Sequence, residues 1–226
     1  MTLYETIFAR RSVRSYLPEP LDEKTLAEVL AYAENVEQIP GAHADFRIIP
    51  HEEMGAGPAP YYLVASSEQN EKEYANIGFV LEKVDLWLQS NGFGSLWYGL
   101  SLPKKHLPND SIVLGFGKTD LPMRKEEEFN RLPLSKIAET DNAVTRAVRL
   151  SPSAVNSQPW KIECAENLVS VSYFGRGLMK ASLEKKMNKV DVGIASRIAV
   201  TALENEGKTA SVSIADSSPL SVRIAY

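Results

Sequence analysis

The chain has 226 residues, of which 44% are hydrophobic and 24% charged, a profile typical of a globular protein with a sizeable core. Its formal net charge of -4 and sequence pI of about 5.5 argue against a nucleic-acid partner. The single cysteine, Cys164, excludes an intramolecular disulfide and fits a reducing compartment. The first ten residues lack the apolar run of a signal peptide, and the uncharged stretch 86–103 contains glycines and a proline. We therefore expect a cytoplasmic protein without a membrane span.

The first half of the chain is predicted to contain three helices and three strands. Residues 2–10 fit a short helix, and Asp22 is a plausible N-cap for an amphipathic helix that ends near Ile39. A long, strongly apolar helix is predicted over residues 77–88 and should be buried on most sides, at the centre of the fold. Apolar runs predict strands over residues 46–49, 61–65 and 112–116, whereas residues 90–94 are rich in turn formers and the charged run 124–131 is predicted to be a solvated connector.

The second half repeats much of this pattern. Residues 33–48 align without a gap on residues 147–162 at a shift of 114, and Asn76-Ile77-Gly78 align on Asp191-Val192-Gly193 at a shift of 115. Two blocks in the same order predict an internal duplication, with half-repeats 1–123 and 124–226 inside one unit, 1–226. A duplicated chain can fold as a fused dimer, with its site between the halves. The second-half elements are predicted as a helix over 142–150, strands over 160–164 and 168–174, a buried helix over 190–204 and a strand over 220–225.

Two segments carry chemistry. Arg10, Arg11, Ser12 and Arg14 offer guanidiniums and a hydroxyl at the end of a helix, a donor set suited to a terminal phosphate, although a solvated helix end is the alternative. Residues 151–160 form the second segment, in which two prolines and short polar side chains predict a rigid loop that can hydrogen-bond a polar heterocycle. Taken by itself, this second segment could also be an ordinary loop.

Together these segments resemble the paired signature of the flavin-dependent nitroreductase family. The resemblance rests on RRSVRSY at 10–16 and PSAVNSQPW at 152–160, and segments 92–99, 112–117 and 131–134 extend it over nearly the whole chain. It implies an α+β fold, with mixed or antiparallel sheets flanked by helices around buried central helices, and FMN as cofactor.

This sequence departs from the family pattern in one respect. Family members bind FMN between two subunits and carry both motifs early in one chain, whereas here the loop motif stands only in the second half. Its first-half counterpart, residues 37–42, lacks the serine and asparagine. In the second half, the place that corresponds to the arginine segment (residues 10–14) carries acids 126–128, which would repel a phosphate. The pattern is similar to a subgroup of nitroreductases in which one chain mimics the dimer, which implies a monomer with one FMN site.

The resemblance also implies roles for individual residues. The phosphate and ribityl end would be held by Arg10, Arg11, Ser12, Arg14 and Arg131; the ring would be bordered by Pro152, Ser153, Ala154, Asn156 and Gln158; and the backbone near Tyr98 and Gly99 would face its reactive N5 edge. No side chain need act as an acid or base, and no metal is implied. Hydride would pass from NAD(P)H to the flavin and on to a small-molecule nitro, quinone or similar acceptor in a ping-pong cycle.

Other functions stay open. A flavin carrier or sensor without redox turnover is one alternative, because losing one site shows that the lineage tolerated erosion. Reductive dehalogenation or flavin fragmentation, as relatives of this fold perform, is another. Gly117-Lys118-Thr119 resembles the end of a phosphate-binding P-loop, but Ile112 stands where its first glycine is required. The three histidines show no metal-ligand spacing.

Overall fold

The structure is a computed structural model that describes residues 1–175, 181–216 and 218–226. Its first half contains α1 (Leu3–Ile7), α2 (Glu23–Asn35), β1 (Asp45–Pro50), β2 (Tyr61–Ser66), α3 (Glu71–Ser90), β3 (Phe93–Tyr98) and β4 (Asp110–Lys118). Its second half contains α4 (Ala143–Arg149), β5 (Trp160–Ala165), β6 (Leu168–Tyr173), α5 (Ala181–Asn205), β7 (Ser211–Ile214) and β8 (Ser221–Ala225). The predicted α+β class is confirmed.

Each half builds one four-stranded antiparallel sheet. The strand order is β1-β2-β4-β3 in the first sheet and β5-β6-β8-β7 in the second, so the two sheets have the same topology. The two central helices α3 and α5 pack against each other between the sheets. Most of the α3 side chains are buried, as the apolar pattern predicts.

Two glycines allow the central helices to approach closely. A Cβ atom on Gly78 would overlap the backbone of Val190, and a Cβ atom on Gly193 would overlap the backbone of Ala75. Both pairs are related by the 115-residue shift, since 78 corresponds to 193 and 75 to 190. The contact is therefore reciprocal, with the same surface used by both helices, as across the two-fold axis of a dimer.

The structure adds two strands that the periodicity does not predict. β3 begins directly after Gly92, whose φ of 82° forms a turn, and its own Gly94 made the segment look like part of that turn. β7 is only four residues long and alternates serine with apolar residues. Both lie at the edge of their sheets, where one neighbouring strand is enough and the hydrophobic signal is weak.

The predicted helix ends are partly corrected. Asp22 is the N-cap of α2, since its side chain accepts a hydrogen bond of 2.7 Å from the Thr25 amide. That helix ends at Asn35, before the predicted stop near Ile39, and α1 ends at Ile7, before the arginine segment. None of the helices in the described ranges has the length and apolar character needed to cross a bilayer.

Candidate functional site

A cleft between the two halves brings the two predicted motifs together. The first half contributes Ser12, Arg14, Leu96, Trp97, Gly99 and Ile112 to its walls. The second half contributes Pro152, Ser153, Ala154, Val155, Met187, Val190, Asp191 and Ile194. Residues about 140 positions apart in the sequence thus face one space, and six of the twelve predicted site residues line it.

The arginine segment reaches the cleft because it runs alongside β3. The Val13 amide donates a hydrogen bond of 2.8 Å to the Ser95 carbonyl, and the Val13 side chain is buried. Gly94 permits this approach, since a Cβ atom there would meet Val13. Ser12 and Arg14, on either side of Val13, line the cleft. Arg14 is exposed and makes no hydrogen bond or ion pair within the described part of the chain, which leaves its charge available to an anion.

Arg10 and Arg11 lie elsewhere than the family resemblance implies. Arg10 is 1% exposed, and its Nε donates to the carboxylate of buried Asp85 at 2.8 Å. The Arg11 amide donates to the Gln89 side chain at 2.8 Å, and its guanidinium donates to the Pro122 carbonyl at 2.8 Å. Neither arginine is among the residues that line the cleft. Their contacts instead fix the segment that presents Ser12 and Arg14.

The second-half loop has a strained backbone. Val155, Asn156 and Gln158 have φ values of 48°, 56° and 49°, in the left-handed region that side chains other than glycine rarely adopt. For the β-branched Val155 this conformation is a clear outlier, and such strain persists only when the surroundings hold it in place. Strain of this kind is concentrated at functional sites.

Side chains of the loop motif supply this support. The Asn156 amide group accepts a hydrogen bond from Arg131 and donates one to the Asn130 carbonyl, both at 2.9 Å. The Gln158 side chain accepts a hydrogen bond of 2.8 Å from the Leu132 amide, and the Gln158 backbone amide donates to the Ser153 hydroxyl at 3.0 Å. Asn156 and Gln158 therefore shape the loop and are not cleft-lining residues, whereas Pro152, Ser153 and Ala154 line the cleft.

Arg131 acts on the same loop. Its guanidinium donates to the carbonyls of Ser151 and Leu150, both at 3.1 Å, in addition to Asn156. Burial, together with the nearby charges of Arg10 and other arginines, lowers the pKa of Arg131 to about 10. Arg131 thus braces the loop in this structure, and its part in binding the phosphate stays a prediction.

Tyr98 and Gly99 lie in different surroundings, and of the two only Gly99 lines the cleft. The Tyr98 ring packs against Tyr62 with centroids 5.6 Å apart, close to Gly57 and Gly115, and burial raises the pKa of Tyr98 to about 12. Gly99 lines the cleft, and a Cβ atom there would overlap the thioether of Met187. The cleft wall at this point is thus backbone and a flexible methionine.

Asp191 is the most informative cleft residue that the sequence pattern did not single out as functional. Its side chain is 2% exposed, and both its carboxyl oxygens lie near the Ala154 amide, at 3.0 and 3.2 Å. Burial raises the pKa of Asp191 to about 8, against the opposing effect of that amide hydrogen bond. Its alignment on Asn76 marked a repeat, but one sequence alone could not show that Asp191 faces a cleft.

The donor set of the cleft fits FMN. A free guanidinium and a hydroxyl, Arg14 and Ser12, suit a phosphate. Apolar side chains suit a planar ring system, and they come from strands and from α5: Leu96, Trp97, Ile112, Met187 and Ile194. The loop adds polar groups at Ser153 and Ala154, and helix α5 adds Asp191. This is the combination that a phosphate-bearing aromatic cofactor requires.

The architecture is that of the nitroreductase fold. A putative nitroreductase from Thermotoga maritima matches it with a TM-score of 0.76 at 24% sequence identity, covering 100% of this chain and 94% of that one. A nitroreductase family protein from Clostridium difficile matches with a TM-score of 0.50 at 17% identity, covering 63% and 99% of the two chains. No curated protein sequence matches the chain significantly.

The sequence itself places the chain within this class. Residues 2–202 match the model of the family described as "Putative TM nitroreductase". The chain belongs to that family.

Proposed function

We propose that the protein is an FMN-dependent oxidoreductase that passes electrons from NAD(P)H to a nitro, quinone or similar small-molecule acceptor. The observation that carries the proposal is the convergence of the two motifs of the nitroreductase signature, residues 12–14 and 152–154, on one cleft. Membership of a nitroreductase family supports the same activity. FMN, when bound, supplies the hydride chemistry.

The chain's own residues bind and orient the cofactor. Arg14 and Ser12 bind its phosphate, and the apolar walls hold its ring system against the loop. The loop is kept in one strained conformation by Arg131, Asn156 and Gln158, so that its backbone groups stand ready before the cofactor arrives. Such preorganisation lowers the entropic cost of binding.

We further propose that one chain is a duplicated pseudo-dimer with a single FMN site. The identical strand order of the two sheets and the reciprocal contacts of Gly78 and Gly193 support the duplication. The loss of the second site is supported by Glu37, at the place of the loop motif in the first half, which pairs with Arg197 at 2.6 Å and with Lys83 at 3.0 Å. The cycle is ping-pong, because donor and acceptor share the one cleft.

The test is the visible spectrum of the purified protein, followed by steady-state turnover. We expect oxidised-flavin absorption, either as purified or after addition of FMN, and consumption of NAD(P)H that depends on a nitroaromatic or quinone. Flavin binding without turnover for any donor and acceptor pair would favour a carrier or sensor. Absence of flavin binding would overturn the proposal.

A further inference from the structure

One acid in the cleft has an amide as its counterpart in the other half. The Ala154 amide donates to Asp191 at 3.0 Å, and the Ile39 amide donates to Asn76 at 2.8 Å. The corresponding members of the two pairs differ by 115 residues, the same shift that relates strand β1 (Asp45–Pro50) to strand β5 (Trp160–Ala165), so the hydrogen bonds occupy equivalent places in the two halves. The structure thus corrects by one residue the shift of 114 that the alignment predicts for residues 33–48. Each one ties a loop to a central helix.

Asn76 and Asp191 differ in the hydrogen bonds that their second side-chain polar atom makes. The Asn76 side chain donates its amide hydrogen to Gln38 at 2.8 Å, so both ends of the group are used inside the protein. At the position equivalent to Gln38 stands Ser153, whose hydroxyl accepts from the Gln158 amide at 3.0 Å. Asp191 has no such acceptor opposite it: both its oxygens accept from the Ala154 amide, at 3.0 and 3.2 Å, and a hydrogen bond with the Ser157 side chain also acts on the carboxyl group. The Asp191 side chain itself lines the cleft.

The surroundings of Asp191 favour its neutral form. From α3, the residues that meet α5 at this level are apolar, Ala75, Gly78 and Phe79. Strands β3 and β4 contribute Leu96, Trp97 and Ile112 to the cleft, and the loop contributes no charge. Arg14 is the other ionisable side chain among the cleft residues that the structure describes, and on α5 itself the nearby Lys189 is paired with Glu71 at 3.1 Å.

We propose that Asp191 binds the ligand of the cleft by donating a hydrogen bond from its protonated carboxyl group to an acceptor atom of the ring system. This inference rests on the proposed flavin site and adds a residue and a pH dependence to it. In the neutral acid the carbonyl oxygen can accept from the Ala154 amide at 3.0 Å, and the protonated oxygen, which has the longer contact of 3.2 Å to that amide, becomes a donor to the ligand. Ionisation removes that donor and places a negative charge beside the electron-rich ring acceptor, so binding weakens as the pH rises.

The experiment measures the dissociation constant of riboflavin from pH 6 to 9.5. Riboflavin is the probe because the phosphate of FMN titrates near pH 6 itself. Since burial centres the titration of Asp191 at about pH 8, we expect affinity to fall about tenfold between pH 7 and pH 9. Asp191→Asn should bind with an affinity that does not change over this range.

The matched control is Glu82→Gln. Glu82 on α3 is also fully buried, and burial and the neighbouring Asp85 raise its pKa well above the usual range, but it is not among the cleft-lining residues. This variant should keep the wild-type decline in affinity. A decline that persists in Asp191→Asn, or that disappears in Glu82→Gln alone, would overturn the proposal while leaving the flavin site intact.

A second readout separates this inference from the proposed function. The side-chain carboxyl carbon of Asp191, followed by NMR in the flavin-free chain, should titrate near pH 8. A midpoint near 4 would overturn the proposal even if flavin binds. If neither the wild type nor the variants bind riboflavin or FMN, the proposed function is contradicted. The proposed hydrogen bond from Asp191 to the flavin is then contradicted as well.

Discussion

The loops at 37–43 and 152–158 occupy equivalent places in the two halves but differ in their surroundings. The second-half loop borders an open cleft, held in a strained form by Arg131 and Asn156. The first-half loop is closed by a salt bridge from the Glu37 side chain to Arg197, which is fully buried on α5.

The two central helices carry an acid and a base at equivalent positions. Glu82 on α3 corresponds to Arg197 on α5 at the 115-residue shift, and Glu82 lies near enough to Arg10 and Arg131 for their charges to lower its pKa, against the larger effect of burial. In the first-half loop the arginine is on the helix and the acid on the loop. At the second-half loop the acid, Glu82, is on helix α3 of the first half, Arg131 braces the loop and Arg10 fixes the arginine segment. The two halves thus share one sheet topology, while an ion pair in the first half stands opposite the cleft loop of the second.

The largest expected effect is on the stability of the segment that presents Ser12 and Arg14 to the cleft. Arg10→Ala leaves the buried carboxylate of Asp85 without its cation, so we expect a loss of about 3–5 kcal/mol in the free energy of unfolding, measured by denaturant titration. The double variant Arg10→Met with Asp85→Leu should recover most of that loss. If Arg10→Ala costs no more than Arg11→Ala, the buried pair does not carry this part of the fold.

The next effect tests the reciprocal helix contact that both halves share. In an exposed helix, Gly→Ala stabilises by about 1 kcal/mol. Here Gly78→Ala and Gly193→Ala should each destabilise, by about 1–3 kcal/mol, because the added Cβ atom meets backbone of the facing helix. Similar losses for the two variants support the pseudo-two-fold arrangement, whereas a rise in Tm for either one contradicts the close crossing.

A smaller effect is expected on cofactor affinity alone. Arg14→Ala removes a charge-assisted hydrogen bond to the phosphate and should weaken FMN binding by about tenfold or more, with riboflavin affected little. Arg146→Ala is the matched control, since its guanidinium pairs with Asp141 on the surface and does not line the cleft, and it should leave both affinities nearly unchanged. Equal loss of FMN and riboflavin in Arg14→Ala would show that Arg14 supports the fold and does not bind the phosphate.

The smallest effect concerns the ion pair between Glu37 of the first-half loop and Arg197. Burial would raise the pKa of Glu37, but Arg197 and Lys83 hold it at about 2. The carboxylate therefore contributes stability that is present above pH 4.5 and is lost as the pH falls towards 2. Glu37→Gln should cost about 1 kcal/mol at pH 7, since Glu37 is half exposed. Thermal melts should show that this difference shrinks as the pH falls from 4.5 to 2; a constant difference would mean that the charge contributes nothing.

Much of the frame follows from the sequence. The α+β class, the buried central helix of the first half and the N-cap at Asp22 are confirmed because periodicity and capping act locally. The edge strands β3 and β7 could not be predicted from periodicity, because each pairs with only one strand and carries a weak apolar pattern.

The site was only partly predictable for a different reason. A motif indicates which residues act together, but it does not show which side chains face the ligand. Arg10 and Asn156 belong to the motifs, yet one is buried against Asp85 and the other is bonded to Arg131. Asp191 lies outside both motifs, and its role depends on burial beside a cleft that only the packing of the two halves creates.

If both halves of one polypeptide make a single flavin site, two chains that are each defective in a different half cannot complement one another. Chains carrying Arg14→Ala and chains carrying Ser153→Tyr, which fills the cleft, should each bind FMN weakly, alone and when mixed. The wild type should bind one FMN per monomer, measured by flavin release against protein under conditions where sedimentation gives a single chain. Recovery of binding on mixing the two variants, or a ratio of two FMN per chain or one per two chains, would contradict the account.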